Sequence, residues 1–309
     1  MEKTKTNVYQ MVTERIVEQL QQGIIPWHKP WASFGEAGEA INYVTRKPYS
    51  MLNQMLLCRE GEYLTYKQLQ QAGGKLKKGA KSSVVVFYTT IQDWKKTETN
   101  ENGEEYEVQV HSSRKIPVLR YYRVFHIEDC EGVTSKLQPV SKPNAHVEPI
   151  AAAESVIERY ISSADSPAFQ NDKPSNQAYY SPKKDLVVVP MLEQYNDVKE
   201  EYYSTTFHEL VHSTMTESRC NRKSEGAEAA FFGSEDYSRE ELVAEIGAAM
   251  LCNHAGLDCE KAFRNSVAYI QGWLKNLQHD NKAIVWAAAK AEKAARFILG
   301  ENTDNNTNN

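Results

Sequence analysis

The sequence predicts an α+β protein in two parts: a mixed α/β N-terminal domain followed by a mostly helical domain with a small sheet. Three observations predict it. A chain of 309 residues suits about two domains. Its apolar patterns are strand-like runs in the first half and helix-period stripes in the second. Between them lies "TSKLQPVSKPNAHVEP", Thr134 to Pro149, a Pro-, Ser-, Lys- and Asn-rich stretch without either period, as a linker has.

In the first half, Val8, Val12, Ile16 and Leu20 recur every four residues and predict an amphipathic helix. "GIIPWHKPW" follows, where the prolines enforce an extended or turning chain. "KSSVVVFYTTI" and "IPVLRYYRVFHI" are β-branched and aromatic runs that predict strands. The polar "DWKKTETNENGEEYEVQ" between them carries an Asn-Gly turn signal and predicts a long excursion or hairpin tip.

In the second half, "AAAESVIERYISS" predicts a helix and "AYYSPKKDLVVVP" a hairpin around Ser181–Asp185. A helix is predicted from near Asp197, with Glu200 in capping-box spacing and Tyr203, Phe207, Leu210 and Val211 as its buried stripe. Another starts at Ser238, where Glu241 stands in capping-box spacing. Two more follow, over "SVAYIQGWLKNL" and "KAIVWAAAKAEKAARFIL". The tail "ENTDNNTNN" is too polar to pack.

Composition narrows the classes. No run approaches the eighteen or so apolar residues of a membrane span, and the N-terminus lacks the apolar core of a signal peptide. Five cysteines, odd in number and without a CxxC pair, point to thiols in a reducing cytoplasm rather than a disulfide framework. The net charge of −5 divides into +2 over residues 1–135 and −7 over the remainder, which suggests two tasks. Such a charge is also far too weak for a mimic of a phosphate backbone.

"TTFHELVHSTM" contains His-Glu-x-x-His. On a helix, His208 and His212 project from one face, within reach of one ion. Catalytic zinc uses three protein ligands plus water, and Glu209 is a carboxylate that can take a proton from that water. The competing reading is a solvated helix face. Downstream, Glu240, Glu241 and Glu245 are available. We expect Glu241 as the third ligand and Glu245 as a carboxylate orienting a ligand histidine. The alternatives are that Glu241 only closes the Ser238 capping box and that Glu245 is an exposed charge. The strand "DLVVVP" is expected either at a sheet edge that receives a peptide or in the core. His126 and His254 are expected to be structural.

The first half also offers residues for nucleic acid. Single-strand binders combine basic grooves with aromatic platforms. Trp27, Lys29 and Trp31 alternate, as do Tyr43, Arg46, Lys47 and Tyr49, while Lys75, Lys77, Lys78 and Lys81 lie beside two glycines as in a phosphate cradle. Against this, the tryptophans suit a clamp of the first helix to the sheet, the lysine loop suits a solvated turn, and a balance of +2 is no strongly basic footprint.

Together these residues resemble a known family. "FHELVHST", "FFGSEDYSREELVAEIGAAMLC" and "AYIQGWLKNLQHDNKAIVWAAAKAEKAARFIL" are similar to the zincin-like metallopeptidase domain of ArdC-type antirestriction proteins. "YQMVTERIVEQLQQGIIPWHKPW", "YVTRKPYSMLNQMLL", "YLTYKQLQQAGGKLKKGAKSSVVVFY" and "VLRYYRVFHIEDCEGV" resemble that family's N-terminal single-stranded-DNA-binding domain. Thr97–Val110 and the Asn-rich tail have no counterpart. The resemblance implies a single-stranded-DNA-binding domain over 1–135 and a zincin-like domain over 150–300, while composition marks a linker over 136–149 and a disordered tail over 301–309. It implies His208, His212 and Glu241 as ligands of zinc, with manganese or another divalent ion as alternatives, and Glu209 as the catalytic carboxylate. It further implies a mobile-element protein, carried by conjugative plasmids among others, that shields incoming DNA from restriction. Its partners would be single-stranded DNA and an unidentified protein substrate, a restriction component being one candidate. The alternatives are a peptidase acting on DNA-bound proteins, or a DNA-binding protein whose metal is not proteolytic.

Overall fold

Asn7 opens the first helix: its side-chain oxygen accepts hydrogen bonds from the backbone N–H groups of Tyr9 and Gln10, the cap that a short polar side chain provides. Helix α1 (Val8–Gln21) buries Val12, Ile16 and Leu20, and Val8 partly, as their spacing predicts. The computed structural model describes residues 7–28, 39–100, 105–137, 149–195, 198–222, 235–257, 273–274, 277–278 and 280–301.

A 3-10 turn, Pro26–His28, leads toward β1 (Ala40–Asn42), α2 (Met51–Leu57), β2 (Gly61–Thr65) and α3 (Tyr66–Gln71). The short β3 (Lys75–Leu76) pairs with β6 (Cys130–Glu131). Strands β4 (Ser83–Thr99) and β5 (Glu105–His126) complete a sheet of order β1-β2-β5-β4, parallel only between β1 and β2. The two predicted strand runs are the base of one hairpin. The polar excursion continues the same pairing past a bulge between Ile91 and Asp93, so it is the arm of the hairpin. Its Asn-Gly turn lies outside the described residues.

The second part holds α4 (Pro149–Ile161), β7 (Ala168–Gln170), β8 (Tyr179–Ser181), β9 (Leu186–Val188), α5 (Lys199–Ser213), α6 (Glu235–Ala255) and α7 (Ala283–Ile298). The hairpin around Ser181–Asp185 forms as β8–β9. In the sheet order β7-β9-β8, β9 is central and buries Val187 and Val188. The peptide-receiving edge considered for "DLVVVP" is therefore corrected: it is a core strand. Val198 occupies the N-cap of α5 without a side-chain cap bond, so the expected Glu200 box is absent; Asp197 is outside the described residues. Helix α6 begins at Glu235, which puts Ser238 inside the helix rather than at its cap. Most of the helix predicted over 266–277, residues 138–148 of the linker and residues 302–309 of the tail also lie outside the described residues.

The two halves share one apolar core. Val12, Ile16, Leu20, Trp27, Met51 and Met55 pack in the same cluster as Ile246, Met250, Ile284, Ala288 and Ala291. Polar links reinforce the seam: Thr13 Oγ1 donates to the Asn281 carbonyl at 2.9 Å, and the Met51 N–H donates to the Glu292 carboxylate at 3.1 Å. Two smaller clusters sit on the sheet, around Tyr49, Tyr63 and Val85 and around Tyr43, Leu64 and Leu69. Among the described residues no helix is long and apolar enough to cross a membrane, and Cys58, Cys130, Cys220 and Cys252 are all thiols.

Candidate metal centre

The site rests on how closely α5 and α6 approach. Gly247 of α6 faces Val211 of α5, and a Cβ on that glycine would lie 2.8 Å from Val211 Cγ2. Only a residue without a side chain permits the approach, because a buried valine has little rotamer freedom to yield. Apolar neighbours on both helices (Phe207, Leu210, Val211; Leu242, Ile246, Ala249) are buried, which leaves the polar faces opposed.

There His208 and His212, one turn apart on α5, bring their Nε2 atoms to 3.1 Å. Glu241 on α6 meets both, with one carboxylate oxygen 3.4 Å from His208 Nε2 and the other 3.3 Å from His212 Nε2. These three donors lie within 4.8 Å of one another. Ligands at about 2.1 Å around a tetrahedral ion sit roughly 3.4 Å apart, so the donor set fits a divalent ion and leaves a position for water. Glu241 turns to the histidines, not to the Ser238 capping role considered for it. Glu209 is buried beside them.

A second ring of groups holds the histidines. Glu245 Oε2 lies 3.5 Å from His208 Nδ1, and the side chain is only 13% exposed, so it is no exposed charge. Glu240 does the same for His212, at 3.5 Å from its Nδ1. Arg222, its side chain fully buried, grips Glu240 at 2.6 and 3.2 Å and donates to the Val211 carbonyl at 2.8 Å. Burial opposes charge on both rings, but the carboxylates prevail: Glu241 and Glu245 raise His208 well above the usual imidazole range, and Glu240 and Glu241 raise His212 to about 9. Burial likewise acts to raise the three glutamates, and the histidine bonds hold all of them below the ordinary carboxylate range.

The sequence offered Glu240 without assigning it a role, and gave no sign of Arg222 or of His28, whose Nε2 is 3.3 Å from Glu245 Oε1. Spacing on α6 could have found Glu240, which neighbours Glu241. Nothing in the spacing of the other two points to this site.

The nucleic-acid candidates fare differently. Trp27, Tyr43 and Tyr49 are buried, so their reading as base-stacking platforms is corrected: Trp27 is edge-on to Trp273 of the helical half at 5.0 Å, a clamp between the two halves rather than of the first helix to the sheet, and the tyrosines pack under the sheet. Arg46 pairs with the buried Glu62. Lys75 pairs with Glu131 at 3.1 Å, while Lys77, Lys78 and Lys81 are exposed. The glycine beside them serves packing, since a Cβ on Gly74 would lie 2.5 Å from Leu69. Lys29 and Trp31 fall outside the described residues. What the sequence reading passed over is "RYYR" on β5: Arg120, Tyr121, Tyr122 and Arg123 are all exposed. His126 is structural as expected; it is buried and donates from Nε2 to the Glu60 carbonyl at 3.0 Å.

Comparison with known proteins follows the same division. Residues 6–125 match the N-terminal domain of anti-restriction factor ArdC, and residues 157–290 match the zincin-like metallopeptidase family. The crystal structure of antirestriction ArdC protein from plasmid R388 in its Mn(II)-bound form superposes with a TM-score of 0.67 at 29% identity, over 95% of this chain and 97% of that one. Its metal-free form gives 0.66. Among curated relatives, two Escherichia coli proteins named DNA primase TraC are 31% and 30% identical over 97% and 96% of this chain, which spans only 28% and 20% of their length. The Sinorhizobium fredii protein y4eC is 28% identical over 97% of this chain and 94% of its own. With each half matched to its own family and the whole fold superposing on ArdC, this chain belongs to the ArdC-type antirestriction proteins, an ArdC N-terminal domain joined to a zincin-like metallopeptidase domain.

Proposed function

We propose that this protein is an antirestriction factor of a mobile element that binds single-stranded DNA and carries a working zinc- or manganese-dependent peptidase site, acting in the reducing cytoplasm its thiols suit. The observation that carries the reading is the convergence of His208, His212 and Glu241 on one point, with the buried Glu209 next to His208 in the sequence. A divalent ion held there supplies a Lewis acid for water and for a scissile carbonyl. Glu209 would take the proton of the attacking water and pass it to the leaving amine. Glu245 and Glu240 would keep the two imidazoles in the tautomer that presents Nε2. Of the small sheet, β8 is an edge strand beside β9, and an extended peptide would add to it through main-chain hydrogen bonds.

For DNA, the exposed residues of the hairpin are the better platform. Arg120 and Tyr122 share one face with Phe87, whose ring centroid is 5.9 Å from that of Tyr122, and Tyr121 and Arg123 line the other. Lys77, Lys78 and Lys81 remain candidates for phosphate. Residues 1–135 and 150–300 are then two functional regions built on a shared core.

Glu209→Gln tests the proposal. The amide keeps the size of the side chain but cannot take the proton. The variant should retain its metal content and its salt-sensitive binding of an oligothymidine, and lose cleavage of casein and of a mixed peptide library. Undiminished cleavage would refute the peptidase assignment. Whether protection of incoming DNA survives in the same variant then tells whether proteolysis or DNA binding delivers antirestriction.

A further inference from the structure

Each ligand histidine is backed by a carboxylate, and each of those carboxylates is itself held from behind. For His212 the chain runs through Glu240 to Arg222, all within the peptidase-like half. For His208 it runs through Glu245 to His28, which belongs to the N-terminal half. The two carboxylate oxygens of Glu245 are divided: Oε2 lies 3.5 Å from His208 Nδ1 and Oε1 lies 3.3 Å from His28 Nε2. Both Glu245 and His28 keep only 13% of their side chains exposed, so water does little to satisfy them. His28 is fixed in turn by its neighbour. Trp27 is fully buried against Trp273, which pins the 3-10 turn to the helical half, and the His28 ring lies edge-on to Trp27 at 6.3 Å.

We propose that His28 is a positioning residue of the metal centre, so that metal affinity is a property of both halves of the chain. The physical reason is preorganisation. A ligand imidazole binds well when its other N–H is anchored, and that anchor is only as good as the carboxylate's own orientation. A glutamate held at one oxygen can rotate about its last bond; held at both, it cannot. Arg222 does this for Glu240, and His28 does it for Glu245. The N-terminal domain thereby contributes to a site whose ligands all lie in the other half, and anything that displaces the turn at Pro26–His28 would be felt at His208.

This inference rests on the metal reading above, and one experiment separates their failures. Parent, His28→Ala, His28→Gln, Glu245→Ala and the His28→Ala/Glu245→Ala double variant are titrated with Mn(II), free ion being read by electron paramagnetic resonance. Thermal midpoints are recorded alongside. His28→Ala should raise the Kd about tenfold, the lower end of what such outer partners contribute. His28→Gln, whose amide can still donate to Glu245, should recover most of that loss. In the Glu245→Ala background the further loss of His28 should change the Kd less than about twofold, because the path is already cut. A parent that binds no Mn(II) sinks both readings. An unchanged Kd in His28→Ala sinks this one alone. So does a full effect that persists without Glu245, or a glutamine that restores nothing, since either means the ring acts through packing.

Discussion

Glu62 shows how one side chain is made to hold a charge inside this protein. It is completely buried, yet it pairs with Arg46 and accepts the Lys136 backbone N–H at 2.9 Å. Burial works to raise its pKa, but the bonds from Ser135, Arg46 and Lys136 together bring it below the ordinary glutamate value. A carboxyl depressed in the folded state stabilises the fold fully above its unfolded pKa of about 4.3, and that contribution fades as pH falls through the folded value. Glu62→Gln should therefore cost about 1–3 kcal/mol at neutral pH and progressively less below about pH 4. Urea unfolding of parent and variant at several pH values checks this. A gap that does not narrow in acid would mean that the side chain matters for its shape and not its charge. At the candidate metal centre the same logic is doubled: each half-buried histidine is offset by carboxylates, and Glu240 and Glu245 each meet a second donor.

Among the elements, α5 and α6 decide whether there is a site at all. Their contact hinges on Gly247, which lets the Val211 side chain approach where any Cβ would collide. Gly247→Val would gain some helix propensity, but overpacking of a rigid core costs about 1–3 kcal/mol or more, and the strain falls on the helix pair that carries the ligands. We expect a lower thermal midpoint and at least about tenfold weaker divalent-metal binding, on the scale that misplaced ligand partners cost. A variant with parental affinity would show that the helices have room to spare. Much of this level was legible in the sequence. The pairing of His208 with His212 follows from helical spacing, as do the buried stripes of α1, α5 and α6, because periodicity states which residues share a face; Glu241, on another helix among three glutamates, was singled out with the help of the family resemblance. Periodicity could not say that "DLVVVP" is central to its sheet, since an apolar run suits an edge or a core. Nor could it separate a tryptophan in a groove from one in a clamp: Trp27, Tyr43 and Tyr49 are aromatic near basic residues, and only the packing shows that their faces are covered. His28 and Arg222 were invisible for the same reason, being partners across distance rather than along a helix.

At the scale of the whole molecule, two regions that read as separate in charge and period are joined by one core. Helices α1 and α2 bury their apolar faces against α6 and α7, and the turn between them reaches the outer partners of the metal centre through His28. The family assignment accounts for the order of the parts. The shared core fixes the candidate ligands in place, because they stand on helices packed into it. On the function proposed above, this packing brings His208, His212 and Glu241 together so that they hold one divalent ion. Equilibrium dialysis against Zn(II) or Mn(II), followed by elemental analysis, tests it most directly. The parent should retain about one ion per chain, and His208→Ala, His212→Ala and Glu241→Ala should each retain almost none while keeping a cooperative fold. Undiminished metal in these variants would contradict the account.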